Sequence, residues 1–189
     1  MNEAIDRLRR REGLIYLAAF ALCIPAANWL ILHVGTICAP QGPCLIPVAP
    51  SVMAPSGVLM VGLALVLRDL IQRRLGIKIA IAGILAGALL SAFFAPRELV
   101  AASAAAFLLS ETADLLVYTP LQKKGLVLAV MASSAVGLVI DSIVFLYLAF
   151  GSLAFLEGQV IGKAWMVLAS LPVIAWLRRR DERLGLTPA

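Results

Sequence analysis

Six long apolar stretches follow one another along the chain, separated by short segments that are charged or rich in Pro and Gly. They cover approximately residues 14–33, 52–70, 79–95, 99–118, 126–150 and 159–177. A helix of about 20 mainly apolar residues is long enough to cross about 30 Å of hydrocarbon. The sequence therefore predicts an all-α polytopic membrane protein, with a bundle of about six transmembrane helices in one domain over residues 14–177.

The composition also indicates a chain embedded in lipid. Hydrophobic residues make up 62% of the 189 residues and charged residues only 14%, whereas soluble domains are about half apolar and about 25% charged. Six spans leave no room for a separate soluble enzyme domain. The net charge of +5 comes from basic runs beside the apolar stretches, without the aromatic interleaving of a nucleic-acid surface. We expect a lipid bilayer as partner and no nucleic acid.

The basic residues also predict the topology. Residues 7–11, 68–78, 123–124 and 178–183 contain 14 of the 16 Lys and Arg residues. The positive-inside rule then places both termini in the cytoplasm, with residues 1–13 as a basic segment and 178–189 as a basic tail. The first apolar stretch is too long for a signal-peptide core, so we expect it to remain as an anchor. The predicted location is the cell inner (plasma) membrane.

The uncharged segment over residues 33–51 is the least regular part of the sequence. Its helix-breaking residues are Pro40, Pro43, Pro47 and Pro50. This segment is a loop or a short re-entrant hairpin. Cys38 and Cys44 within it form either a disulfide, which an extracytoplasmic loop would preserve, or two free thiols. His33 is the single histidine, and we expect no metal site and no cofactor.

Small residues recur at four-residue spacing in the third and fourth stretches. The pairs are Ala82 and Ala86, Gly83 and Gly87, and Ala102 and Ala106. Such faces let helix backbones approach closely in lipid, which predicts a compact bundle.

The last three predicted spans contain four charged residues, each of which costs several kcal/mol inside a membrane unless it is paired or wetted. They are Glu111, Asp114, Asp141 and Lys163. Helical spacing places Phe107, Tyr118 and the first two acids on one face of the fourth span, and Asp141 and Phe145 on one face of the fifth. These faces predict a polar cavity near the bilayer midplane.

Several interpretations of these charges stay open. Lys163 and Arg68 can offset the negative charge of the buried acids. Alternatively, they form ion pairs whose only role is to hold helices together. For Arg68 and Asp69, a position in the membrane interface is a further alternative. A carboxylate accepts two parallel hydrogen bonds from the N–H edge of a guanine-type base, and Phe107, Tyr118 and Phe145 can stack on a flat heterocycle. The same carboxylates suit a cation or a proton relay equally well.

The chain resembles the family of queuosine-precursor transporters, also known as the vitamin uptake transporter (VUT) family. The resemblance lies in LVLRDLIQRRLG (Leu65–Gly76), ASAAAFLLSETADLLVYTPLQKKG (Ala102–Gly125) and GLVIDSIVFLYLAF (Gly137–Phe150), followed by Lys163. It implies import of 7-cyano-7-deazaguanine or 7-aminomethyl-7-deazaguanine, precursors of a modified tRNA base. Carried over position by position, it implies roles for Arg68, Asp69, Glu111, Asp114, Asp141, Ser142 and Lys163.

Three functions are compatible with the sequence. The first is a transporter for a small heterocyclic solute, with proton coupling through Glu111 or Asp141. The second is a substrate-binding membrane subunit of an ATP-driven importer, whose ATPase must be a separate chain because the sequence has no GxxxxGK[ST] loop. The third is an intramembrane enzyme using Glu111, Asp114 and Asp141. The sequence has no nucleophile elbow and no His–Cys cluster, so we expect a non-enzyme.

Overall fold

The computed structural model describes residues 2–38 and 42–188, and six long helices make up most of them. They are α1 (Asn2–His33), α2 (Val58–Leu75), α3 (Ile77–Phe94), α4 (Val100–Leu121), α5 (Leu126–Phe150) and α6 (Leu156–Leu184). Within this described part, five helices are long and apolar enough to cross a membrane, and α2 is not among those five. The prediction of a polytopic helical membrane protein is confirmed.

The helix α2 occupies the centre of the bundle and contacts each of the other five helices. Its charged residues are Arg68, Asp69, Arg73 and Arg74, and all of them are buried. These charges make α2 too polar to qualify as an apolar span. Because the other helices surround it, it is shielded from lipid.

The segment before α2 forms a small antiparallel sheet, which is a departure from the all-α prediction. Its strands are β1 (Ile37–Cys38), β2 (Cys44–Ala49) and β3 (Val52–Pro55), in the order β1–β2–β3. The predicted second span, 52–70, was therefore wrong at its start, because residues 52–55 pair with β2 and α2 begins only at Val58. Pro40 lies outside the described residues.

The sheet is fastened to the helices at several points. A disulfide joins Cys38 to Cys44, which is the first of the two alternatives left open by the sequence. The indole N–H of Trp165 on α6 donates a hydrogen bond to the carbonyl of Val48 at 2.8 Å. The hydroxyl of Ser56, just after β3, donates to the carbonyl of Leu30 on α1 at 2.8 Å. The sheet thus forms a cap over one end of the bundle.

The small-residue faces were predicted correctly in part. Ala102 and Ala106 are buried, and a methyl group on Gly87 would meet the ring of Phe107 at 2.5 Å. Ala82 and Ala86 are instead exposed, so their predicted role in close helix contact is wrong. They share the outward face of α3 with large apolar side chains such as Leu89, which is 73% exposed.

The other end of the bundle, termed the basic end, gathers the start of α1 and the ends of α2 and α6. Both α1 and α6 continue as helices through the basic segments outside the predicted domain, residues 2–13 and 178–184. Glu12 accepts a hydrogen bond from Arg74 at 2.8 Å and also pairs with Arg180. The helices are therefore tied together where the sequence concentrates positive charge.

Candidate functional site

A cavity lies inside the bundle and is lined by residues from all six helices. Its volume, counted as the space open to the centre of a water molecule, is about 110 Å³. Pro55 and Leu99 line the cavity at the capped end, and Glu111 lines it deeper in the bundle. At about 1.5 Å per helical residue, Glu111 lies about 18 Å along α4 from Leu99. The cavity therefore reaches from the capped end well into the interior.

One wall of the cavity carries an ion pair between Lys163 of α6 and Asp141 of α5. The Nζ of Lys163 lies 2.6 Å from Oδ2 of Asp141. The same ammonium donates to Oγ of Ser142 at 2.7 Å and to Oε1 of Gln159 at 2.6 Å. All three ammonium protons thus have acceptors. Among the described residues, only Ser110 donates to the second oxygen of Asp141, in a long 3.4 Å hydrogen bond, so this oxygen is the more available acceptor toward the cavity.

A second group of charges lies behind the deep end of the cavity, around Arg68. Its Nη2 lies 2.7 Å from Oδ1 of Asp69 and also contacts Oδ1 of Asp114, and its Nε lies 3.4 Å from Oε2 of Glu111. None of the four side chains is more than 2% exposed. These four residues are termed the central cluster. It combines one guanidinium with three carboxylates, so it holds more acceptors than the arginine can satisfy.

Neighbouring side chains hold the central cluster in place. Arg68 donates to Oε1 of Gln72, one turn further along α2, at 2.9 Å. The hydroxyl of Ser133 on α5 donates to Oδ2 of Asp69 at 2.7 Å. The guanidinium carbon of Arg68 lies 5.5 Å from the ring centre of Tyr118, within the range of a cation–π contact. The cluster is therefore oriented from α2, α4 and α5 at once.

Four of the seven predicted substrate-binding residues line the cavity. They are Phe107, Glu111, Asp141 and Phe145. The structure thus brings together the acidic faces of α4 and α5, as the helical spacing predicted. Phe107 packs against Phe20 of α1, with ring centres 5.8 Å apart.

The other three predicted residues stand behind the cavity wall. Asp114 and Tyr118 lie around Arg68, and Ser142 lies behind Asp141, where it accepts a hydrogen bond from Lys163. The expectation that Tyr118 stacks on a solute does not fit this position, because its ring faces the guanidinium instead.

The predicted charge partners are all inside the bundle. Lys163 pairs with Asp141, and Arg68 and Asp69 are fully buried within the bundle. Because α2 contacts the other five helices, the charges of Arg68 and Asp69 are surrounded by protein side chains and not by water.

Sequence reasoning missed several polar neighbours of the site. Gln159 and Gln72 each stand four residues from a buried cation, on the same helical face as Lys163 and Arg68 respectively, and this spacing was a usable signal. Ser110 and Ser133 gave no such signal, because a single serine in an apolar helix often bonds only to its own backbone.

A model of the family described as "Putative vitamin uptake transporter" matches residues 94–177. This region contains α4, α5 and most of α6, with Glu111, Asp114, Asp141 and Lys163, but not the α2 that carries Arg68. No curated protein and no solved structure matches the chain. Over residues 94–177, the chain is similar to the vitamin uptake transporter family.

Proposed function

We propose that this protein is a transporter that imports a precursor of queuosine, 7-cyano-7-deazaguanine or 7-aminomethyl-7-deazaguanine, across the inner membrane. The observation that carries the proposal is the cavity, which joins two buried acidic groups to two aromatic side chains inside a membrane-spanning bundle. The similarity to vitamin uptake transporters supports the transport role over the same helices.

The chemistry of the cavity suits a flat heterocycle with an N–H edge. A deazaguanine presents its ring N–H and its exocyclic amino group side by side, and a carboxylate can accept both hydrogen bonds in parallel. Glu111 and the freer oxygen of Asp141 are the candidate acceptors. Phe107 and Phe145 supply apolar ring surface within the same cavity.

The proposed direction of transport follows from the position of the cavity. Positive charge is concentrated at the basic end, which we place in the cytoplasm by the positive-inside rule. The cavity is lined by Pro55, Pro96 and Leu99 at the opposite end, beside the sheet. In this orientation the cavity receives solute from outside the cell.

We further propose that protons drive the uptake. The central cluster has two more carboxylates than cations, and bringing these acids close together in a low-dielectric interior favours binding of a proton. Glu111 belongs to both the central cluster and the cavity wall, so a proton there is coupled to occupancy of the cavity. Uptake into proteoliposomes should then fall when a protonophore collapses the proton gradient.

Growth and tRNA analysis test the substrate. A strain unable to make deazaguanines should recover queuosine in its tRNA from scarce external precursor only when this chain is expressed. Glu111→Ala and Asp141→Ala should abolish the recovery while the protein stays in the membrane. Glu182→Ala, which removes a carboxylate from an exposed pair, is the matched control and should rescue like the wild type.

Purified protein in liposomes distinguishes this proposal from an ATP-driven importer. Uptake by the purified chain alone, without ATP, supports a secondary transporter. Uptake that appears only with an added ATPase would show that the chain is instead the membrane subunit of a larger importer. Equal rescue by wild type, Glu111→Ala and Asp141→Ala would show that the assigned cavity is wrong.

A further inference from the structure

A second pocket lies at the basic end, far from the cavity of the proposed transport site. Its volume, counted in the same way, is about 240 Å³. It is formed by the end of α2, the turn between α4 and α5, and the end of α6 with the residues that follow it. Its basic residues are Arg73, Lys123, Lys124 and Arg178, and its single acidic residue is Glu182.

The charges around this pocket are only partly neutralised. Glu182 accepts a hydrogen bond from Arg178 at 2.8 Å, in a pair that is more than half exposed. Lys123 and Lys124 form no ion pair with the described residues and are exposed. Positive charge therefore exceeds negative charge around a concave surface, which is the arrangement that attracts an anion.

Arg73 supplies a buried donor to the same pocket. Its side chain is only 8% exposed, and its Nε donates to Oδ2 of Asp181 at 2.8 Å. Its two terminal nitrogens donate no hydrogen bond to any described residue, although the side chain lines the pocket. A guanidinium edge held in this way matches the oxygens of a phosphate group.

The first turn of α5 borders the pocket as well. Gly125 and Leu126 line it, and no described side chain forms a hydrogen-bonded cap on this 25-residue helix. The free N–H groups and the positive end of the helix dipole favour an anion at this position. The buried arginine, the lysines and the helix terminus therefore all favour the same kind of ligand.

We propose that this pocket binds a phosphate group, supplied by the headgroup of an anionic phospholipid or by a free phosphate anion. The pocket joins α2, the α4–α5 turn and α6, so an occupant contacts three parts of the bundle at once. Binding there stabilises the basic end. The proposal does not depend on which solute the protein transports.

Thermal unfolding of the purified full-length protein in a neutral detergent tests the site. Phosphatidylglycerol, phosphatidylcholine and inorganic phosphate are titrated separately, and the shift in Tm gives an apparent affinity. Lys123→Ala/Lys124→Ala should bind phosphatidylglycerol about 25-fold more weakly than the wild type, at about a factor of five for each lysine lost. Arg10→Ala/Arg11→Ala removes the same charge from exposed positions outside the pocket and should bind normally.

The three titrants separate the possible sources of the phosphate. A shift with phosphatidylglycerol alone assigns the pocket to a lipid headgroup, and a shift with inorganic phosphate assigns it to a free anion. Both results support the site if the lysine variant loses the shift and the arginine variant keeps it. Equal shifts for both variants, or a shift with phosphatidylcholine as large as that with phosphatidylglycerol, would overturn the proposal.

Discussion

Two groups of buried charges in this bundle contain similar residues but differ in how well they are satisfied. The central cluster places one arginine among three carboxylates. The group at the basic end, termed the terminal network, consists of Glu12, Arg73, Arg74, Arg180 and Asp181. In the terminal network cations outnumber acids, and in the central cluster acids outnumber the cation.

The hydrogen bonds show the same contrast. Arg74 donates to both oxygens of Asp181, at 2.9 and 2.7 Å, and to Glu12 at 2.8 Å. In the central cluster, by contrast, several buried carboxylate oxygens accept no well-directed hydrogen bond from a described residue. They are one oxygen of Asp69, one of Glu111 and both of Asp114. In the terminal network every carboxylate oxygen accepts a hydrogen bond, which stabilises the fold, whereas the unsatisfied acceptors of the central cluster are available to a proton. We infer that the two regions have different roles.

Arg68→Met should have the largest effect on stability. It leaves three buried carboxylates without their cation, and breaking a buried pair costs about 3–5 kcal/mol. Arg74→Met leaves Asp181 with its bond from Arg73 and Glu12 with its pair to Arg180, so it should cost less, about 1–3 kcal/mol. Thermal unfolding in detergent and the amount of protein in the membrane measure both effects. A larger loss for Arg74→Met would contradict the central position assigned to Arg68.

Asp181→Asn and Glu111→Ala should have opposite consequences. Asp181→Asn weakens the bonds from Arg73 and Arg74 and should cost about 1–3 kcal/mol of unfolding free energy, while each folded molecule still transports. Glu111→Ala should leave the protein folded but without transport. Uptake normalised to the amount of folded protein separates the two results. Equal uptake per folded molecule in both variants would remove the functional distinction between the two regions.

Gly137→Ala should disturb the central cluster by packing alone. A methyl group there would lie 3.2 Å from Cβ of Asp114 and 2.8 Å from Cδ2 of Leu65. Such overpacking costs about 1–3 kcal/mol, and a displaced Asp114 should also lower uptake. Gly83→Ala is the control, because its methyl group would meet only Leu17, at 3.5 Å. The melting temperature of Gly137→Ala should therefore be lower than that of Gly83→Ala. Equal melting temperatures would argue against close packing at Gly137.

Glu182→Ala should have the smallest effect. Its pair with Arg178 is more than half exposed at the basic end, and exposed pairs one turn apart contribute about 0.3–0.5 kcal/mol. Unfolding of this variant should be nearly unchanged in ordinary salt. A loss of unfolding free energy as large as that of Asp181→Asn would show that exposed and buried ion pairs at the basic end contribute equally to stability.

The sequence predicted the helical bundle and the charged residues of the cavity wall, Glu111, Asp141 and Lys163, because those signals are local. A carboxylate in an apolar helix is conspicuous, and helical spacing places Glu111 beside Phe107 without any tertiary information. Lys163 was correctly considered as a partner of Asp141, because a long side chain can reach an acid of the neighbouring helix.

Features that depend on tertiary contacts were not predictable in this way. Hydropathy extended the second span back to residue 52, because the residues of β3 are as apolar as those of a helix, and only pairing with β2 distinguishes them. The sequence also left open whether Arg68 offsets the buried acids, holds helices together in an ion pair or lies in the membrane interface. Its true surroundings depend on α2 being central, which is set by the packing of all six helices.

The most direct test of the proposed function is equilibrium binding of 7-cyano-7-deazaguanine to the purified protein. Wild type should bind it, and Glu111→Ala and Asp141→Ala should each bind at least about tenfold more weakly, as expected for the loss of a hydrogen bond to a charged group. Glu182→Ala should bind like the wild type. Unchanged affinity in both cavity variants would contradict the assignment of this cavity as the solute site.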